Sequence, residues 1–190
     1  MDGMKKIFFF CFNKIVLLNA SISNEIFDTL NIILTKYKNE FDFNMKKDAN
    51  KFSPIHILCS KNRESLTLGE KVFLSLKTID INEHEEIYLN TPLHLAVLTI
   101  NTEIVRILLK NPKIDVNSKN KAGYTPLHVA FEHLFMENNF QKRFEILKIL
   151  LEDANIDIMA KNNDVFLDNF YFTNIIERNP FANGHIINHY

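Results

Sequence analysis

Glycine is scarce in this chain, with 4 in 190 residues, and cysteine is scarcer still, with 2. Cys11 and Cys59 alone make neither a disulfide framework nor a four-ligand zinc site, and they fit a reducing interior. There is no Gly-rich loop to cradle a phosphate. No apolar run reaches the roughly 18 residues that span a bilayer, so no integral membrane span is expected. Charge of one sign is also lacking: 22 basic and 23 acidic residues leave a net charge of −1. That balance gives no broad attraction to nucleic acid or to an anionic membrane. Acidic and hydroxyl residues form no acid–base or nucleophilic set, so no enzyme and no cofactor are expected. What is present is hydrophobic, at 46%, with 17 phenylalanines. That is enough for a continuous core, and the length suits one domain or one short repeat array. The dominance of Asn, Lys, Ile and Phe reads as a coding bias, not as function.

The chain repeats itself. Ser53-Pro54-Ile55-His56 returns as Thr91-Pro92-Leu93-His94 and again as Thr125-Pro126-Leu127-His128, with the histidines 38 and then 34 residues apart. A second pattern keeps step: Asp42-Phe43-Asn44, Asp80-Ile81-Asn82, Asp115-Val116-Asn117 and Asp157-Ile158-Met159. Between them lies an apolar segment with an acidic start, Glu103 to Leu109 and then Glu145 to Leu151. In both copies the last Leu precedes the Asp by six residues.

The T-P-L-H-x-A signature, the E-I-V-x-x-L-L helix and the D-V-N turn at this period resemble the ankyrin repeat. The resemblance covers about residues 24 to 170. It is strongest at 82–130, good at 131–159 and degenerate at 50–80. It implies an all-α solenoid of stacked helix-turn-helix repeats joined by β-turn-like loops, with units at about 24–49, 50–86, 87–120 and 121–160. The opening unit has its helix at Glu25–Lys38, with Ile26, Leu30, Ile33 and Leu34 at helical spacing.

The residue chemistry agrees. Thr91 and Thr125 stand where a helix N-cap belongs, and Pro92 and Pro126 take the first helical position, where a missing N–H is harmless. Leu93 and Ala96 share a face, and the Ala allows close helix approach. Gly123, two residues before Thr125, suits a turn with positive φ. Leu89 and Lys51 hold the equivalent places, so those turns are expected to differ in shape.

Two insertions interrupt the period. One is near Met136–Arg143, and it either lengthens helices or makes a protruding loop; the other is around Lys61–Thr67. After Lys161 the pattern fades. Residues 161–190 are read as a capping segment with a last helix from Asp168 to about Arg178. Residues 1–23 are apolar. Met4-Lys5-Lys6 before Ile7–Phe12 resembles the start of a secretory signal, but Asn13 and Lys14 interrupt it, so a cap over the first repeat is expected, with a signal or a membrane-surface segment as the alternative. An intracellular, cytoplasmic protein is expected, with an exported or host-directed one as the rival.

The histidines invite a metal reading. His56, His94 and His128 recur once per repeat, about 10 Å apart if the helices pack normally, which is too far for one ion with ligands near 2 Å. Hydrogen bonds to the neighbouring turn are the expected role. His185 and His189 sit beside Asn183 and Gly184, which disfavour the helix a chelate would need. Cys59, three residues after His56, takes the small-residue packing position instead of a nucleophile's place. Lys46, Lys47 and Lys51 with Lys119 and Lys121 could form a basic strip, balanced by Glu83, Glu85 and Glu86.

What the resemblance implies about function is protein binding through turn tips and the exposed side of each first helix. The positions are Phe52, Ser60 and Lys61 in the first full repeat, and His84, Glu86, Tyr88, Asn90, Leu98 and Thr99 in the second. In the third they are Lys119, Lys121, Ala122, Tyr124, Glu132 and His133. Phe52, Tyr88 and Tyr124 have the aromatic chemistry of binding hot spots. The expected protein is a monomeric adaptor, scaffold or regulator holding one partner protein.

Overall fold

The computed structural model of the chain describes residues 52–61, 74, 79–134 and 139–163. The expected segments 1–23 and 24–49, the insertion expected around Lys61–Thr67 except Lys61 itself, residues 135–138 and everything after Asn163 lie outside the described residues, as do Cys11, Lys46, Lys47, Lys51, His185 and His189. Among the described residues five helices follow in order: α1 Pro54–Cys59, α2 Pro92–Leu98, α3 Thr102–Leu109, α4 Pro126–Glu132 and α5 Phe140–Leu151. No strand occurs among the described residues. Helices α1, α2 and α4 pack side by side as one row; α3 and α5 form a second row, each against the first helix of its own repeat. This is an all-α solenoid of two layers.

Each first helix starts as its sequence dictates. Thr91 and Thr125 are extended, and each hydroxyl accepts the backbone N–H of the histidine three residues on. The histidine ring returns the contact, since Nδ1 accepts the threonine's own N–H at 3.2 Å. The orphan donors of the first turn are thus satisfied reciprocally. Ser53 makes no cap bond to the backbone, but its hydroxyl lies 2.7 Å from His56 Nδ1, as the two threonine hydroxyls do from theirs.

The layers are held by side chains at helical spacing. Leu93, Ala96, Ile104, Leu127, Ile146 and Leu150 are among the core's most deeply buried side chains. Two residues after the motif histidine stand Leu58, Ala96 and Ala130, and three after it Cys59, Val97 and Phe131; all six are buried. Burial drives the Cys59 thiol's pKa far up, so it stays protonated and acts as a small apolar group. Helix α2 ends in a Schellman turn: Asn101 N–H reaches Ala96 O, and Ile100 N–H reaches Val97 O. Ile100 takes φ +59 there, an unusual place for a β-branched residue. Its half-buried side chain packs on the core, and Asn101 caps α3 through Ile104 N–H. The insertion before Arg143 in part lengthens the outer helix: α5 has 12 residues where α3 has 8, while α4 and α2 both have 7.

The D-x-N turns join one repeat to the next. Asp80, Asp115 and Asp157 each accept the N–H two residues on, closing a local turn. The Asn then reaches across. Asn82 donates to Lys113 O and accepts from Asp115 N–H; Asn117 donates to Asn155 O and accepts from Asp157 N–H. Met159 takes this place in the last described turn and cannot continue the ladder. Asn117→Ala removes both links of one junction, and because the site is exposed, water offsets part of the loss. A drop of about 1 kcal/mol in urea unfolding is expected, with faster hydrogen exchange at Asp157 than at Asp115.

Candidate partner-binding surface

The turn tips are built on buried frames. In the tip before α2, Glu85 is fully buried. One of its carboxylate oxygens accepts Tyr88 N–H at 2.8 Å and Asn90 N–H at 3.0 Å; the other accepts Ile87 N–H at 2.7 Å. The backbone closes underneath through Glu85 N–H to Asn90 O. In the next tip Asn120 does the same work with a neutral amide, accepting Ala122 and Tyr124 N–H, and Asn120 N–H reaches Tyr124 O. The second tip is therefore one residue shorter.

The two tips share a handedness that the sequence did not announce. Gly123 has φ +79, and a Cβ there would lie 2.5 Å from the Asn163 side chain and 2.8 Å from its backbone nitrogen, so glycine is required twice over. Leu89 also takes the left-handed region, at φ +55. The expectation that this turn differs because it lacks a glycine fails at that residue; the Glu85 carboxylate fixes the backbone on both sides of it. For a Leu that conformation costs about 1 kcal/mol or more. Leu89→Gly removes the strain but frees the unfolded chain, so a gain below about 1 kcal/mol in stability is expected on chemical denaturation.

Successive tips are also tied together. Lys121 N–H donates to Tyr88 O at 2.8 Å, Lys121 Nζ reaches Ile87 O at 3.5 Å, and Asn120 Nδ2 donates to Asn90 Oδ1. The histidines link the repeats one layer deeper: His56 Nε2 meets Glu83 O and His94 Nε2 meets Tyr124 O, both at 2.8 Å. Because Nδ1 of His94 accepts two bonds, its proton sits on Nε2. Burial, chiefly, lowers the pKa of His94 to about 4, with the positive charge of His84 and His128 adding to it; the Tyr124 hydrogen bond and Asp115 act the other way. Among the described residues no group of His, Cys, Asp and Glu is arranged to hold a metal ion.

The surface residues expected from the sequence divide into two sets. Glu86, Tyr88, Lys119, Lys121, Ala122 and Glu132 are exposed, and His84, Lys61, Leu98 and His133 are half-buried. The rest serve the frame. Asn90 was placed on the surface, but it is 7% exposed and bridges to the next tip; this corrects the expectation. Ser60 and Thr99 turn their hydroxyls to backbone carbonyls, with Thr99 reaching Cys59 O in the previous repeat. The half-buried Phe52 and Tyr124 lie with ring centroids 5.9 Å from His56 and His128, so they are only partly available as hot spots. The expected balance of the basic strip also changes: Lys119 and Lys121 face solvent, while Glu85 is spent inside its turn.

Tyr88 alone of the three aromatics projects, at 64% exposed, flanked by Ile87 at 43% and Leu89 at 41%. Sequence reasoning missed Ile87 and Leu89. Three apolar residues in a row at a turn without glycine was the available signal.

Stacked helix-turn-helix units, with polar frames inside and exposed side chains on the tips, define a repeat-type protein-interaction module. The sequence matches the family description "Ankyrin repeats (3 copies)" over residues 17–120 and 67–162. The chain belongs to the ankyrin-repeat family, a non-catalytic interaction fold. It is similar to I-kappa-B like protein C2 of Microplitis demolitor bracovirus, 28% identical over 129 residues, which are 68% of this chain and 65% of that protein. It is 36% identical over 80 residues to I-kappa-B like protein G2 of the same virus, covering 42% of this chain and 47% of the relative. It is also 32% identical over 103 residues to alpha-latrotoxin-Lg1a of Latrodectus geometricus, covering 54% of this chain but 7% of the toxin. The chain thus spans a small part of the toxin and about half to two thirds of the viral proteins. No helix among the described residues is long and apolar enough to cross a membrane.

Proposed function

We propose that the chain is an adaptor or regulator that holds one partner protein across its turn tips and the exposed side of its first helices. The observation that supports this most is the buried Glu85 frame, which fixes a turn that holds Ile87, Tyr88 and Leu89 out toward solvent. Backbone strain kept at an exposed apolar position has no use in stability and suits recognition. The likeness to two proteins named I-kappa-B like supports the regulator form of the reading. The contact surface is proposed to include Glu86, Tyr88, Lys119, Lys121 and Ala122 at the tips, with Leu98, Glu132 and His133 on the helices.

Affinity purification with the full chain from its own cells tests this. One protein is expected to be enriched, and Tyr88→Ser is expected to lose most of it while keeping the wild-type circular dichroism spectrum. Enrichment of nothing, or equal retention by the variant, contradicts the reading.

A further inference from the structure

The tip at Ile87–Leu89 is exposed, apolar and held in place by the Glu85 carboxylate. Its backbone is already turned and engaged: Ile87 and Tyr88 N–H donate to Glu85, Tyr88 O accepts Lys121 N–H, and Leu89 is left-handed at φ +55. The tip therefore offers no extended edge for a partner strand to pair with, and a partner reads side chains. Three neighbouring apolar side chains that are 41–64% exposed gain most when they enter a concave apolar pocket. Immediately beside them, on the next tip, Lys119 and Lys121 are exposed. Carboxylates at the edge of such a pocket would meet those ammonium groups, whereas lysines there would be repelled.

We infer that Ile87, Tyr88 and Leu89 form a preorganised plug for a folded protein whose surface offers an apolar pocket rimmed by carboxylates on the side facing Lys119 and Lys121. This rests on the protein-binding reading and names the partner's chemistry. The frame matters to the affinity. The turn is already ordered by three hydrogen bonds to one buried carboxylate, so little loop entropy is lost on binding.

The test uses the full chain carrying a photoreactive benzoylphenylalanine in place of Tyr88, irradiated in lysate of its own cells, with the cross-linked residues mapped by mass spectrometry. A second probe replaces Thr99 on the first-helix side. The expected adduct at position 88 joins apolar residues of one folded protein that lie next to Asp or Glu. Excess unmodified chain suppresses it. Ile87→Ser/Leu89→Ser and Lys119→Glu/Lys121→Glu competitors are expected to be weaker by about 30-fold and about tenfold. Competition undiminished in the serine variant, or in the glutamate variant, overturns the pocket or the acidic rim respectively. So does an adduct to a second copy of this chain. An adduct from position 99 but none from 88 overturns the plug and leaves the protein-binding reading standing; adducts from neither overturn both.

Discussion

Glu85→Ala is expected to destabilise the chain by about 3 kcal/mol, since charge-assisted hydrogen bonds contribute about 1.5–3 kcal/mol each and water can replace only those at the tip's surface. Three N–H groups lose their acceptor, and the Asn90 group is buried. The effect extends beyond the turn. Asn90 N–H loses its acceptor and Asn90 keeps its carbonyl bond from the residue 85 N–H and its bridge to Asn120, while Leu89 loses what keeps it in a strained conformation. Glu85→Gln separates charge from geometry. Its amide oxygen can still accept from Tyr88 and Asn90, but its NH2 would face Ile87 N–H. A loss of about 1–2 kcal/mol is expected for it. Urea unfolding at neutral pH checks both. A change below about 0.5 kcal/mol for the alanine variant would show that the carboxylate does not hold the tip.

Acidification is expected to remove about 3 kcal/mol of stability through His94, the linkage value for a pKa near 4 when folded against 6.5 when unfolded. The folded pKa is depressed, so the contribution is fully present above pH 6.5. Below that, the unfolded chain binds a proton that the folded chain refuses, and stability falls as pH drops toward 4. The physical reason is local. The ring is buried, and Nδ1 already accepts from the Thr91 hydroxyl and backbone. A proton there would face another N–H. In His94→Gln the slope of stability between pH 6.5 and 4 is expected to fall by up to one proton, although the variant is less stable at pH 7. Equal slopes in both proteins would place the acid sensitivity elsewhere.

Much of this was legible in the residues. Thr-Pro before an apolar helix reads as cap and first turn because both residues act within three positions of themselves. Leu93 and Ala96 read as core for the same local reason, and the recurring histidine reads as a bond to the neighbouring turn once the period is seen. The misses share a different cause. Asn90 is buried because Asn120, 30 residues on, lies against it. Asn82 and Asn117 staple repeats through partners 31 to 40 residues away. Leu89 carried no sign of positive φ, since that sign is ordinarily glycine or asparagine, and here a carboxylate four residues earlier imposes it. The candidate surface was half legible: spacing finds the turn, but only the packed structure separates Tyr88, which projects, from Phe52 and Tyr124, which lie beside their histidines.

The turn tips of this ankyrin array are proposed to hold its protein partner. Calorimetric titration of the purified partner into wild type, Tyr88→Ser and Lys110→Glu tests it most directly, because Lys110 is exposed just beyond the outer helix α3, away from the tips. A loss of about 30-fold is expected for Tyr88→Ser, with Lys110→Glu within about twofold of wild type. Wild-type affinity in Tyr88→Ser with a large loss in Lys110→Glu would place the partner on the outer helices and contradict it.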